Sequence, residues 1–294
     1  MSDGDANDGA GGDLVELIRP RHFHRLALAV RDVAAATAWF DAVLGSVPIS
    51  MDQSPAPTDR SAEVAKAFER SPATLQWVGG HPVFLMGGEM VAGILHRHGP
   101  AVHSWAWDVV DNWEAEHVVR DRGIEVIGVD LAMRLFFMHP RQTHGLLIEW
   151  CDGDLSTTAP PGPPPGRPVI EGAEIAWITG VVDDAAEVAD WFASLAETTP
   201  VEGNPAGPEA LEQTVDLQVA EMTVRLVTPR SPASRYASSL AGGPRLHSFA
   251  VRVPDLDHAL ATLAAHGVAT VHRDGDLAST DPAATHGLHI DWTQ

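Results

Sequence analysis

The side chains of this chain that can carry chemistry recur in a few fixed places. Histidines stand at His24, His103 and His247, each eight residues before an aspartate, Asp32, Asp111 and Asp255. Carboxylates lie in two near-copies of one stretch, His144-Gly145-Leu146-Leu147-Ile148-Glu149-Trp150 and His286-Gly287-Leu288-His289-Ile290-Asp291-Trp292. An imidazole changes charge near neutral pH, and a carboxylate can serve as a base or an oxygen ligand. His139 and His144 flank a bend marked by Pro140 and Gly145. They can touch a ligand, but the Pro and Gly favour a role in the turn. Arg25, Arg134 and Arg141 offer planar partners for carboxylate or phosphate, although scattered arginines usually lie on the surface. His289 shares a strand face with Asp291.

These groups must be positioned by strands. The stretch RLALAVRD, 25–32, alternates Leu26, Leu28 and Val30 with Ala27 and Ala29, the period of a half-buried strand. Asp32 then reads as an N-cap, Val33, Ala36, Trp39, Phe40 and Val43 recur at helical spacing, and Gly45 sits where a C-cap glycine belongs. The same plan recurs at 103–123 and 247–267, with short strands following at 74–78, 83–86, 134–139 and 146–150. Alternation places Trp105 and Trp107 opposite Ser104, on the face the helix covers, so they read as core and not as a ligand wall.

Matching landmarks reveal a repeat. Val30, Asp32, Trp39 and Phe40 correspond to Val182, Asp184, Trp191 and Phe192, and PAVHSWAWDVVD at 100–111 corresponds to PRLHSFAVRVPD at 244–255. The Pro-rich segment 153–169 reads as a linker. The expected organisation is a solvated acidic tail over 1–19, a first domain over 20–152 with modules at about 20–90 and 100–152, and a second domain over 170–294. Forty acidic against nineteen basic residues give a formal charge of −21, which opposes nucleic-acid binding. No apolar run is long enough for a membrane span. The N-terminal stretch lacks a leader pattern, and the lone Cys151 reads as structural, so a cytoplasmic protein is expected.

Four βαβββ modules with these motifs resemble the vicinal oxygen chelate superfamily of glyoxalases, epimerases, extradiol dioxygenases and bleomycin-resistance proteins. Residues 136–150, FFMHPRQTHGLLIEW, are most similar to the methylmalonyl-CoA epimerase-like branch. The resemblance implies an α+β fold of tandem domains, each curling its sheet around a cleft. It also implies a divalent cation (Zn, Fe, Co, Ni or Mn) acting as Lewis acid on a small oxygenated acid or thioester in the first cleft. On that pattern Glu149 takes the last-strand carboxylate position, and Asp291 takes it in the second copy. Glu69 lies near the catalytic glutamate of the epimerase branch.

The remaining ligand positions depart from the pattern. Seven residues before each helix-opening aspartate stand Arg25, Ser104, Trp177 and Ser248, and the third-strand position holds Phe84 or Arg225. None suits a metal. A set of His24, His103 and Glu149 requires a β-bulge to turn the imidazoles inward. Two readings follow. One is a metal-dependent epimerase, isomerase or lyase using Glu149 and Glu69. The other is a metal-free binder of the bleomycin-resistance type, with Arg25, Ser104, His139 and His144 around the ligand. The second half lacks the intact ligand set of the extradiol dioxygenases, which disfavours that activity. The expected partner is a small molecule, and a homodimer is compatible with the module plan.

Overall fold

In the computed structural model, residues 16–49, 70–130, 134–153, 167–201 and 210–294 are described. Glu69 and most of the Pro-rich linker fall outside these residues. Each module opens with the strand that its alternation predicts. In β1 (Pro20–Ala29), Leu26 and Leu28 enter the main core while Ala27 and Ala29 face the other way. Asp32, in extended conformation, accepts a hydrogen bond from the Ala35 N–H at 2.9 Å and starts α1 (Val33–Leu44), which Gly45 ends at φ 65°. Asp111, Asp184 and Asp255 cap α3 (Asn112–Asp121), α4 (Ala185–Leu195) and α6 (Leu256–Ala265) in the same way. Each such cap contributes about 1 kcal/mol by satisfying otherwise orphaned helix N–H groups.

The first module continues with β2 (Val47–Pro48), β3 (Ala73–Val78) and β4 (His81–Met86). A short helix α2 (Ala92–His98) leads to the second module, which comprises β5 (Ala101–Val109), α3, β6 (Val126–Asp130), β7 (Leu135–Met138) and β8 (Ile148–Cys151). The eight strands form one sheet in the order β2-β3-β4-β1-β5-β8-β7-β6, with β1 and β5 antiparallel at its centre. The second domain repeats this with β9 (Glu174–Val181), α4, β10 (Thr199–Val201), β11 (Glu212–Val219), β12 (Met222–Pro229), α5 (Ala237–Ala241), β13 (Arg245–Arg252), α6, β14 (Thr270–Asp274), β15 (Leu277–Thr280) and β16 (His289–Thr293). Its order is β10-β11-β12-β9-β13-β16-β15-β14. Both sheets are open and α+β.

The helix-covered faces of the two sheets share one apolar cluster, in which Phe40 of α1 stacks on Phe249 of β13 at 6.4 Å. Trp105 and Trp107 are fully buried there, in the core role that alternation predicts, and Trp150 is buried with them. The repeated His-Gly turns clasp the halves reciprocally. His144 meets Trp191 edge-on and His286 meets Trp39, while Gly145 lies against Pro244 and Gly287 against Pro100. All four turn residues have positive φ, between 52° and 83°. The glycines are required, because a Cβ at Gly145 would lie 2.1 Å from the Pro244 carbonyl oxygen. The chain is already engaged at Ile18, which is buried and pairs with Leu195 and Glu197 of the other domain. No helix among the described residues is long and apolar enough to cross a membrane.

Candidate functional site: two clefts held by arginine

The faces turned away from the helices carry the polar groups, and bulges decide which of them. In β1 the pairing with β5 slips between Phe23 and Arg25, so His24 is an extra residue. In β5 it slips between Val102 and Ser104, at His103. The second sheet repeats both irregularities, at His247 of β13 and at Ala176 of β9. Each bulge lies between two core residues three apart, Phe23 and Leu26, Val102 and Trp105, Ile175 and Ile178, Leu246 and Phe249. Two successive residues therefore leave each strand on the cleft face. The bulge that an inward-facing imidazole requires is present, and it brings His24 with Arg25, and His103 with Ser104, to the same side.

Arg25 dominates the first cleft. One of its guanidinium nitrogens donates to Glu149 Oε1 in a short ion pair, and another donates to His24 Nδ1 at 2.6 Å. Its guanidinium carbon lies 5.8 Å from the centre of the Phe84 ring. The pair is sealed, the Glu149 side chain being 1% exposed and that of Arg25 11%. Burial raises the Glu149 carboxyl above its ordinary range, and the charge and hydrogen bond of Arg25 oppose that rise. Burial, then Arg25, holds His24 well below its ordinary value, while its hydrogen bond to the Gly153 backbone acts the other way. His103, 3.1 Å from Ser104 Oγ, is lowered to about 4 by burial and then by Arg25. Ser104 is buried in the cleft floor.

The second cleft reaches the same electrostatic result with other residues. Asp291 accepts from Arg235 at 2.9 Å, from Ser279 at 2.6 Å and from Ser248 at 3.0 Å. Arg235 comes from the loop before α5, with its guanidinium over the Tyr236 ring at 4.4 Å. Arg225 lies 3.9 Å over Trp177 and makes a two-point bond to Asp216. The arginine–aromatic contact between first and fourth strands of the module thus persists with its members exchanged, Arg25 and Phe84 becoming Trp177 and Arg225. His289 stacks on His247 at 4.4 Å, beside Tyr236.

Where the cleft rim meets the seam between domains, a cavity of about 850 Å³ opens. His103, His139 and His144 line it, as does Arg141. Both loop histidines also serve the turn. His139 Nδ1 accepts from the Arg141 N–H, and His144 packs on Trp191. Arg134 is outside the cavity, exposed and paired with Asp152.

A mutant 4-hydroxymandelate synthase from Streptomyces coelicolor is similar over 93% of this chain and 92% of its own, with a TM-score of 0.63 at 15% identity. BphC, a halotolerant catechol dioxygenase, covers 94% and 87% with a TM-score of 0.57 at 14% identity. The chain has the vicinal oxygen chelate fold. An Mn(II)-bound glyoxalase from Novosphingobium aromaticivorans gives 94% and 83% coverage and a TM-score of 0.56 at 13% identity. At these identities the likeness concerns the vicinal oxygen chelate fold alone. No protein-family model matches the sequence, and no curated protein is significantly similar to it.

The resemblance implies a divalent cation held by inward imidazoles and a last-strand carboxylate, and the residues as arranged around Glu149 do not fit one. Glu149 is neutralised by Arg25, and the one lone pair of a neutral His24 is taken by the same guanidinium. Among the described residues, no three His, Cys, Asp or Glu side chains gather as a metal site. The expected set of His24, His103 and Glu149 lies on one cleft face, with Arg25 paired to its carboxylate. Its bulges form, but a guanidinium stands where the cation's charge is expected. In the second cleft both oxygens of Asp291 are engaged, Oδ1 by Arg235 and Ser279 and Oδ2 by Ser248. The sequence reading missed Arg235, which no motif marks, and left the bulges as an open condition, although the Phe-His-Arg-Leu, Val-His-Ser-Trp and Leu-His-Ser-Phe spacing marks them.

Proposed function

We propose that this chain is a metal-free small-molecule-binding protein, with its ligand at the rim of the first cleft and the adjoining seam cavity. The observation that carries this reading is the ion pair of Arg25 with Glu149. A fixed guanidinium repels a second cation at the same carboxylate, whereas an organic ligand needs only a shaped hollow with a few polar contacts. The cavity supplies these, with apolar walls from Ile94, Val102, Ile127 and Leu147 and polar groups at His103 and His139. In this reading His139 and His144 contact the ligand, while Arg25 and Ser104, outside the cavity lining, act on it through the neighbouring His103. Glu149 then acts as the counter-ion of Arg25 and not as a base.

The test is thermal unfolding of the full chain against a panel of small organic molecules, with and without chelator. Stabilisation that persists in chelator is expected, since a ligand of the folded state raises its stability in proportion to RT ln(1 + [L]/Kd). Stabilisation that disappears on chelation would overturn the reading.

A further inference from the structure

We infer that the seam cavity recognises an organic anion, a molecule carrying phosphate or several carboxylates on an apolar body. This specifies the ligand class and rests on the metal-free binding reading above. The cavity collects three arginines, Arg97 of α2, Arg141 of the turn after β7 and Arg245 at the start of β13, against one carboxylate, Asp183. Among the described residues none of the three makes an ion pair. Arg97 spends its Nε on the Gly93 carbonyl, and Arg245 Nη1 donates to His98 Nδ1 at 3.2 Å. The remaining guanidinium N–H groups are left for another acceptor.

His98 reports the local field. Burial, then Arg245, then Arg97 lowers it, and among the described residues no carboxylate raises it. A formal charge of −21 supplies many acidic side chains that could have neutralised this cluster. Like charges gathered without partners repel one another, and an incoming anion offsets that repulsion while forming charge-assisted hydrogen bonds. Both domains supply the cationic groups, Arg97 and Arg141 from the first and Arg245 from the second, so a ligand held by all three bridges the seam. Leu246 and Ile94 add apolar contact for its body.

Inorganic pyrophosphate and citrate serve as probes of the two anion chemistries, titrated at constant ionic strength against thermal unfolding of the full chain. Either probe is expected to raise Tm, by roughly 5 °C at about a hundredfold excess over its Kd, while chloride at matched ionic strength does not. The stronger probe identifies phosphate or carboxylate as the preferred group. The shift should be lost in Arg245→Gln and in Arg141→Gln, and kept in Arg134→Gln, whose arginine lies outside the cavity. Arg141 is exposed, so its variant remains informative if Arg245→Gln folds poorly. No shift with either anion, or an equal shift in the Arg141 and Arg245 variants, would overturn the inference. Both probes chelate divalent cations, so these titrations are run with chelator present throughout, and metal independence is measured separately by the experiment with and without chelator.

Discussion

A carboxylate removed from water loses hydration worth several kcal/mol, and Glu149 recovers it only through Arg25. Such a pair is costly to break by halves. Arg25→Met should therefore lower stability by about 3–5 kcal/mol, and Arg25→Met with Glu149→Leu should recover most of that loss, because replacing both charges removes both desolvation penalties. Urea unfolding of the two variants measures the difference. A double variant no more stable than the single would show that the pair is not the source of the cost. Glu149 was legible as the last-strand carboxylate from its repeated motif, and Arg25 was visible in the ligand register. What sequence does not encode locally is that the two side chains meet across a sheet, since β1 and β8 are separated by β5.

The strands decide what those side chains face. Without its bulge, β5 would send His103 to the core side and only Ser104 to the cleft. With it, the imidazole is held on the cleft rim, half-buried and neutral. The pH consequence has a definite sign. In the folded state His103 titrates at about 4, below the ordinary value of 6.5. Between those values the unfolded chain binds more protons, so stability is complete above about pH 6.5 and falls as pH drops towards 4. His24 and His247, also lowered mainly by burial, act in the same direction. Denaturant unfolding across this range should show the decline, with His103→Gln flattening it by up to the order of 3 kcal/mol. An unchanged slope would contradict the buried-neutral assignment. The helices, their aspartate caps and the paired strands were readable from period and capping residues. The bulges were also written in the sequence, as core residues three apart in strands that otherwise alternate, but alternation alone reads such a pair as a break in the strand.

At the scale of the molecule, the four modules form two sheets over one shared core, and the halves are clasped by matched His-Gly turns. The motif that most suggests chemistry in the sequence, His-Gly before the last strand, serves that clasp with its backbone in the left-handed region. Gly145→Ala would add a Cβ against the Pro244 carbonyl and strain a φ of 82°. It should cost more than about 1 kcal/mol and lower the Tm of a single calorimetric transition, because the two domains share apolar contacts. Two separate transitions in the unaltered protein would contradict the shared core. Duplication was legible from the matching landmarks. The contact between copies was not, because it depends on turns and prolines whose partners lie a domain away.

Metal-free binding turns on the charge at Glu149, and divalent-metal titration measures it most directly. Untagged chain equilibrated with Zn, Mn, Fe, Co and Ni in turn, then analysed for bound metal, should retain none that depends on Glu149. An Arg25→His/Ser104→His variant, which frees that carboxylate and places imidazoles in the chelating register, should gain about one ion per chain. Uptake of one ion per chain by the unaltered protein, abolished by Glu149→Gln, would contradict the account.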